Sequence, residues 1–298
     1  MPFTPPEPLL PTAPPSGDAL HILWRDDRLV AIYKPAGWLV HRTALDAHET
    51  RWVVQALRNQ LGRLVYPVHR LDKGTCGVLL LALDADAARA LGQAFMDGRV
   101  HKRYLAVVRG WPNWTPSPPS TWDRPSLQRI DHPLRPDDAP PDAPVQPACT
   151  QVRRIATLAW PEAFDARFAD THIALVEAHP LTGRRHQIRR HLKHAAHPII
   201  GDATHGKGPL NRWWAERLGV QRLWLHAWSL QFQYPFPHRP SHPGDAQVVE
   251  VHSGLGSPAS PPLPAQGLPH ASGDLALWQR TLCLPWQMDA MGPHTPPD

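Results

Sequence analysis

No hydrophobic segment of this sequence is long enough to cross a lipid bilayer. The longest uninterrupted apolar run is 78–83, six residues, whereas a membrane-spanning helix requires roughly 20. The N-terminus also lacks the basic segment followed by an apolar one that marks an export signal. We therefore expect a soluble globular protein without an export or membrane signal.

Cysteine is scarce, with three residues in 298. Cys76, Cys149 and Cys283 are widely spaced and odd in number, so the sequence predicts neither a disulfide framework nor a cysteine-based zinc site. Unpaired cysteines are typical of proteins in a reducing compartment. We therefore expect the protein to be cytoplasmic.

Proline, in contrast, is abundant, and its 37 residues are concentrated in particular segments. Residues 1–18 and 256–298 are Pro-rich without a general hydrophobic periodicity, which is typical of disordered tails. A third Pro-rich segment, 112–147, is predicted to be a long surface insertion. The folded domain is thus predicted to span 19–255, interrupted by this insertion.

Strand and helix patterns are mixed along the predicted domain. Four apolar segments have the composition of strands: 29–33, 104–108, 173–177 and 223–232. Two segments place apolar residues on one helical face ahead of a glycine: 52–61 and 87–95. In the C-terminal segment a short helix could dock on the domain through three residues at helical spacing: Leu275, Trp278 and Leu282. Because strands and helices do not alternate strictly, we predict an α+β fold with a mixed, mostly antiparallel sheet flanked by helices.

The formal net charge of +5 favours a polyanionic partner without identifying one. Positive charge is concentrated in a predicted helix over 184–196, where Ile188, Leu192 and Ala195 form an apolar stripe. Four cationic side chains surround this stripe: Arg185, Arg189, Arg190 and Lys193. No acidic residue lies at i,i+4 spacing to neutralise them. We predict that these residues contact phosphate groups, the alternative being a solvated outer face.

Histidines in and after the same helix raise the alternative of a metal site: His186, His191, His194 and His197. No cysteine or nearby carboxylate completes a ligand set, and the surrounding Arg and Lys would repel a divalent cation. The sequence therefore predicts no metal here.

A carboxylate between two cations marks a second candidate site. The segment HRLDKGTCG, residues 69–77, places Asp72 between Arg70 and Lys73 on a glycine-flanked loop that runs into the apolar stretch 78–83. A carboxylate held there would be ionised, fixed in position and close to water, which suits a catalyst. The alternative is a turn residue that only stabilises the loop by pairing with Arg70 or Lys73.

Six ordered motifs of the sequence resemble those of the RluA family of RNA pseudouridine synthases over residues 19–235. They are KPAG (34–37), HRLDKGTCG (69–77), KRYLAVVRG (102–110), LTGRRHQIRRH (181–191), GDATHG (201–206) and LHA (225–227). The sequence departs from the family at two positions, because Cys76 replaces a typical Ser and His205 replaces the usual Tyr of the fifth motif. These departures bear on loop packing and substrate choice rather than on the reaction.

The resemblance implies an enzyme that isomerises a uridine within RNA to pseudouridine without a cofactor. It implies Asp72 as the essential carboxylate, acting on the ribose either as a nucleophile at C1′ or as a base at C2′. Arg184 is then expected to keep Asp72 charged. Tyr104 is expected to stack on the target base, the alternative being a buried strand aromatic. Leu225 is expected to close the pocket as an apolar wall.

The same resemblance implies that the uridine is flipped out of its helix, since the reacting carbon is inaccessible in a stack. Arg70 and His69 are the loop residues expected to face RNA. Arg70 would fill or hold open the vacated space, and His69 would support the loop. Phosphate contacts from the cationic helix would make RNA binding strongly salt dependent.

The choice of RNA is predicted from two further segments, GWLVHR (37–42) and HG followed by LNR (205–212). Within the family they indicate a group acting on tRNA, with uridine 65 of the T-arm stem as the predicted target. A uridine of 23S rRNA is the first alternative, and a non-catalytic RNA-chaperone module, which would not need Asp72, is an alternative of another class. A glycosidase would need a second carboxylate beside the sugar, which the motifs do not supply. We expect a monomer with RNA as its partner.

Overall fold

The computed structural model describes seven stretches of the chain: 19–41, 50–114, 127–137, 139–140, 142–234, 247–255 and 273–289. The predicted N-terminal tail, 1–18, lies outside the described residues, as do parts of the predicted insertion and of the C-terminal segment. No helix in the described stretches is long and apolar enough to cross a membrane.

One mixed sheet organises the described residues. Its strands are β1 (Ile22–Arg25), β2 (Leu29–Lys34), β3 (Tyr66–Pro67), β4 (Cys76–Ala82), β5 (His101–Arg109), β6 (Gln128–Asp131), β7 (Cys149–Trp160), β8 (Thr171–Pro180), β9 (Leu225–Tyr234), β10 (Gln247–His252) and β11 (Gln287–Met288). The main strand order is β1-β2-β4-β9-β5-β8-β7-β11, and β3, β10 and β6 pair with β4, β9 and β7. Among the pairings of these strands, β4 with β9 is parallel and the others are antiparallel. The predicted α+β fold with a mostly antiparallel sheet is therefore confirmed.

The helices of the described residues are α1 (Val53–Leu61), α2 (Ala85–Met96), α3 (Gln187–His194), α4 (Gly208–Leu218) and α5 (Gly273–Leu282). Gly62 ends α1 in the left-handed conformation, with φ 63°, as its place after the apolar stripe predicts. The predicted cationic helix is confirmed as α3 but is shorter than 184–196. It begins later because His186 has a left-handed backbone, with φ 54°, which cannot continue a helix.

The apolar run 78–83 is explained by the position of β4 inside the sheet. Every residue of β4 is buried, because both faces of the strand are covered. Successive side chains point to opposite faces, so Leu79 and Leu81 join the larger hydrophobic cluster. Val78 and Leu80 join a smaller cluster that includes Leu91 of α2.

Parts of the predicted Pro-rich segments are ordered. Within 112–147, β6 pairs with β7, so this segment is not only a surface loop. Within 256–298, α5 buries Leu275 and Trp278, which confirms the predicted docked helix. β11 then pairs with β7. The domain boundary predicted at residue 255 is therefore too early, because 273–289 packs on the same body.

The junction between the Asp72 loop and β4 generates a prediction about stability. Gly77 has φ 114°, and a Cβ added there would lie 2.1 Å from the carbonyl oxygen of Ala227 on β9. We expect Gly77→Ala to lower the free energy of unfolding by about 3 kcal/mol or more. Gly92→Ala on α2 is the matched control, because a Cβ meets nothing within 4 Å there, and helix propensity predicts a gain of about 0.5–1 kcal/mol. Urea denaturation measures both, and equal stabilities would contradict the prediction.

Candidate active site

Asp72 lies on the loop between β3 and β4, with its side chain 18% exposed. The backbone N–H of Thr75 donates to the Asp72 carbonyl at 3.0 Å and closes a turn around the residue. The N–H of Gly37 donates to the carbonyl of Lys73 at 2.8 Å, so the loop is also held from the neighbouring turn. The carboxylate is therefore fixed in position and still accessible to water, as the sequence predicts.

The cation that faces Asp72 is Arg189 of α3. Its Nη1 donates to Asp72 Oδ2 at 3.1 Å. Its Nε and Nη2 both donate to the carboxylate of Asp202, each at 2.8 Å. A bidentate pair of this kind fixes the plane of a guanidinium. Asp202 therefore aims Nη1 of Arg189 at Asp72.

The prediction that Arg184 holds Asp72 is wrong. Arg184 is exposed, and its Nε donates to the carbonyl of Pro147 at 3.2 Å. The left-handed backbone at His186 separates Arg184 from the helix and changes the chain direction. Arg189 lies in the first turn of α3 on the buried side, beside Ile188, and points inward.

The prediction that Arg189 contacts RNA phosphates is also wrong, because its guanidinium binds two carboxylates and its side chain is 9% exposed. Burial by itself raises the pKa of Asp202, but hydrogen bonds from Arg189 and from the backbone N–H of Thr204 and His205 lower it overall. The buried pair of Arg189 and Asp202 is therefore ionised at neutral pH. The GDATHG motif serves to build this support.

Tyr104 lies on β5 between Ala178 of β8 and Ala227 of β9 and is 8% exposed. Burial raises the pKa of its phenol, and the negative charge of Asp72 raises it further. Tyr104 is thus a buried strand aromatic that is also within electrostatic reach of Asp72. Its hydroxyl stays protonated at physiological pH.

Two residues of the loop before Asp72, His69 and Arg70, have different surroundings. The Nε2 of His69 accepts the backbone N–H of Leu80 at 3.0 Å, and its ring stacks on Phe95 with the centroids 4.4 Å apart. Desolvation lowers the pKa of His69 to about 3, so the ring is neutral. These contacts agree with the expectation that His69 supports the loop, and its contact with RNA stays a prediction. Arg70 is exposed, as contact with a large partner requires.

Lys34 is a site residue to which the sequence assigned no role. It is fully buried at the end of β2, and its Nζ donates to three backbone carbonyls: Pro35 at 3.0 Å, Lys73 at 3.3 Å and Thr75 at 2.7 Å. Two of these carbonyls belong to the Asp72 loop. Desolvation lowers the pKa of Lys34 to about 8. The sequence signal for this residue is its position, because Lys34 ends an apolar strand and immediately precedes a proline.

The positive charge on the outer surface of α3 is partly balanced by an acidic residue, although the sequence of the helix predicts no such partner. Asp137, from the predicted insertion, lies 3.0 Å from Nη1 of Arg190, 2.9 Å from Nδ1 of His186 and 3.4 Å from Nε of Arg185. Lys193 is exposed. The acidic partner is thus about fifty residues away in the chain, so a search for i,i+4 pairs could not find it.

The two departures from the family motifs both lie next to the Asp72 region. His205 Nε2 is 3.3 Å from Nδ1 of His186, and Nε2 of His186 is 3.9 Å from Asp72 Oδ1. Desolvation lowers the pKa of both histidines, so both rings are neutral at pH 7. The thiol of Cys76 is buried and accepts a hydrogen bond from Nη2 of Arg222 at 2.9 Å.

In the described residues no group of three or more His, Cys, Asp or Glu could hold a metal ion.

Leu225 begins β9 and is 3% exposed, paired with Ala106 of β5. It therefore belongs to the packed interior next to the strand that carries Tyr104. Its function as a wall for the substrate stays a prediction.

Comparison with known proteins agrees with this geometry. The sequence model of the RNA pseudouridylate synthase family matches residues 28–194, more than half of the chain. The chain belongs to this family. The resemblance read from the six motifs is therefore confirmed, and with it an enzyme class of isomerases that act on RNA.

Relatives with the name tRNA pseudouridine synthase C share a large part of the sequence. The protein of Vibrio cholerae is 43% identical over 221 residues, covering 74% of this chain and 88% of the relative. The protein of Salmonella typhimurium is 45% identical over 223 residues, covering 74% and 83%.

Solved structures show the same fold. Human RNA pseudouridylate synthase domain containing 4 superposes with a TM-score of 0.52 at 26% identity, over 78% of this chain and 87% of that one. Human RNA pseudouridylate synthase domain containing 1 superposes with a TM-score of 0.56 at 23% identity, over 91% of this chain and 97% of that one. At this identity the likeness shows a shared fold and no more.

The different surroundings of the two arginines generate a prediction. Arg189→Gln leaves the buried carboxylate of Asp202 without its cation, so we expect the free energy of unfolding to fall by about 3 kcal/mol. Arg184→Gln removes the same charge from an exposed position, and we expect a change within about 0.5 kcal/mol. Urea denaturation at pH 7 measures both variants. Similar losses for the two would show that Arg189 has no special structural position.

Proposed function

We propose that this protein isomerises uridine 65 in the T-arm stem of tRNA to pseudouridine, with Asp72 as the essential group. The observation that carries the proposal is the carboxylate of Asp72, partly exposed and held at 3.1 Å by a guanidinium that Asp202 fixes from behind. Family membership supports the reaction, and the name of the relatives supports tRNA as the substrate.

The reaction exchanges one bond for another without a net change in composition. The bond from N1 of the base to C1′ breaks, the base rotates, and C5 bonds to C1′, after which the C5 proton is lost and N1 carries a proton. An ionised Asp72 serves either as a nucleophile at C1′ or as a base at C2′. Arg189 orients the carboxylate in both routes through a charge-assisted hydrogen bond.

Tyr104 and Arg70 are assigned contacts with the substrate. We assign Tyr104 to stacking on the base, because a phenol with a raised pKa is a poor proton acceptor. The uridine has to leave its stack to reach Asp72. Arg70, exposed on the same loop, fills or holds open the space that the base vacates.

The phosphate-binding surface that we propose at α3 consists of Arg190 and Lys193 on the helix and Arg185 just before it. All three lie outside the buried ion pair of Arg189, and their positive charge supports strongly salt-dependent binding. Asp137 contacts Arg185 and Arg190 in the free protein. An RNA phosphate therefore competes with this carboxylate for the same N–H groups.

Release of tritium from tRNA labelled at C5 of uridine tests the proposed reaction. We expect the wild type to release it without added metal or nucleotide, and Asp72→Asn to lose activity at least about 1000-fold while still binding RNA. Asp86→Asn is the matched control, because Asp86 is an exposed residue of α2 paired with Arg89. A wild type that binds tRNA without releasing tritium would favour the non-catalytic RNA-binding module.

The target position is tested in a deletion strain. Mapping of pseudouridines should show loss at position 65 of tRNA and recovery on return of the wild-type gene. Loss of a pseudouridine in 23S rRNA, with position 65 intact, would overturn the assignment to tRNA and leave the reaction in place.

The contact between Asp137 and α3 generates a separate prediction on affinity. Asp137→Asn removes a competing charge from two phosphate-binding arginines, and we expect it to tighten binding of a tRNA transcript by about 3-fold to 10-fold at low salt. Asp142→Asn changes the net charge equally on the same segment and is exposed. Filter binding over a range of salt measures both variants. If the two bind alike, the effect is one of net charge only.

A further inference from the structure

Helix α5 places a carboxylate against the turn behind the Asp72 loop. Asp274, in the first turn of α5, is 16% exposed. Its Oδ2 accepts the backbone N–H of Ala36 at 2.7 Å, and its Oδ1 accepts Nη1–H of Arg222 at 2.7 Å. Asp274 therefore joins the C-terminal segment to the KPAG turn and to the chain before β9.

The KPAG turn also holds the backbone that carries Asp72. Gly37, next to Ala36, donates its N–H to the Lys73 carbonyl at 2.8 Å. Lys34 donates to the carbonyls of Lys73 and Thr75. The residue directly after Asp72 is thus held by two groups of the turn that Asp274 contacts.

Arg222 connects Asp274 to the two segments that adjoin Asp72 and Asp202. Its side chain is 5% exposed and donates to Asp274 and to the thiol of Cys76, which follows the Asp72 loop. Its carbonyl oxygen lies so close to Gly201 that a Cβ there would be 1.7 Å away. Gly201 precedes Asp202, the support of Arg189. A displacement of Arg222 would therefore shift the chain next to the Asp72 loop and next to Asp202.

We propose that Asp274 is a positioning residue for the reaction: through the 34–37 turn and Arg222 it fixes the backbone on which Asp72 approaches the ribose. The proposal rests on the proposed function of Asp72. It concerns a helix outside residues 28–194, the part that the family model matches.

The charge of Asp274 also acts on Lys34. The groups that face Lys34 are Cys76 on β4, Asp72 on its loop, Asp274 on α5 and Arg222. Desolvation lowers the pKa of Lys34 to about 8, while the negative charge of Asp274 opposes this shift. Removal of that charge lowers the pKa of Lys34 further, so its ammonium is lost, and its hold on the loop weakens, at a lower pH.

Asp274→Asn tests the proposal, with Asp289→Asn as the matched control. Asp289 lies in the same C-terminal segment, is 13% exposed, and binds Arg154 of β7 through Nε at 2.9 Å and Nη2 at 3.1 Å. Each variant therefore loses one partly buried carboxylate that pairs with arginine. Only Asp274 contacts the turn behind Asp72.

For Asp274→Asn we expect kcat on labelled tRNA to fall about 10-fold to 100-fold, because small displacements of reacting groups are costly. We expect KM to change less than about 3-fold, since the phosphate-binding surface is untouched. The alkaline limb of kcat should move to lower pH by about half a unit or more. Asp289→Asn should keep kcat within about 2-fold and the pH profile unchanged. Equal losses in the two variants, or a wild-type kcat in Asp274→Asn, would overturn the proposal.

Amide hydrogen exchange gives a readout that does not depend on the substrate. The amide of Gly37, bonded to Lys73, should exchange faster in Asp274→Asn than in Asp289→Asn. An unchanged exchange rate at Gly37 would contradict the positioning role of Asp274, even if the substrate assignment is correct. Faster exchange together with a wild type that is inactive on tRNA would instead point to a wrong substrate.

A second variant covers failure of Asp274→Asn to fold. Asp274→Glu keeps the charge and moves the carboxylate by one methylene. We expect a smaller loss of kcat with the alkaline limb at the wild-type pH. If the alkaline limb of kcat in Asp274→Glu moved to lower pH as far as we expect for Asp274→Asn, the electrostatic part of the proposal would be contradicted.

Discussion

The site depends on one buried guanidinium that is shared by two carboxylates. Arg189 gives two N–H groups to Asp202 and a third to Asp72. Asp202 alone balances the charge of the arginine, so the cluster as a whole is anionic. Asp72 is therefore oriented without being fully neutralised, and its other oxygen, Oδ1, is the one that we propose meets the substrate. A single exclusive pair of Arg189 with Asp72 would hold the carboxylate more tightly and make it a weaker nucleophile or base.

The central strands of the sheet bring the parts of this site together. β4 and β9 are paired in parallel next to the Asp72 loop, with Cys76 opposite His226. β9 also pairs with β5, where Tyr104 is opposite Ala227. The loop before β4 and the tyrosine of β5 are consequently separated by one strand only. Residues distant in sequence are thereby held by neighbouring strands that are largely buried, which suits chemistry that tolerates little displacement.

Sequence patterns predict the fold class, several strands and helices and the Asp72 loop, because these follow from local periodicity and from ordered motifs. They failed where a choice depends on backbone direction or on distant partners. Arg184 and Arg189 belong to one motif, and the left-handed backbone at His186 decides which of them points inward. The acidic partner of α3, Asp137, comes from a segment that composition marks as an insertion. β7 was missed because polar residues such as Arg153 interrupt its apolar pattern.

The location of α5 has a consequence for how the protein is made. In chain order α5 and β11 follow every other described element, and domains fold as the chain leaves the ribosome from its N-terminal side. A nascent chain thus exposes Asp72 and Arg189 before Asp274 has been translated. In the positioning role that we propose for Asp274, the Asp72 loop takes its final position only when α5 has docked.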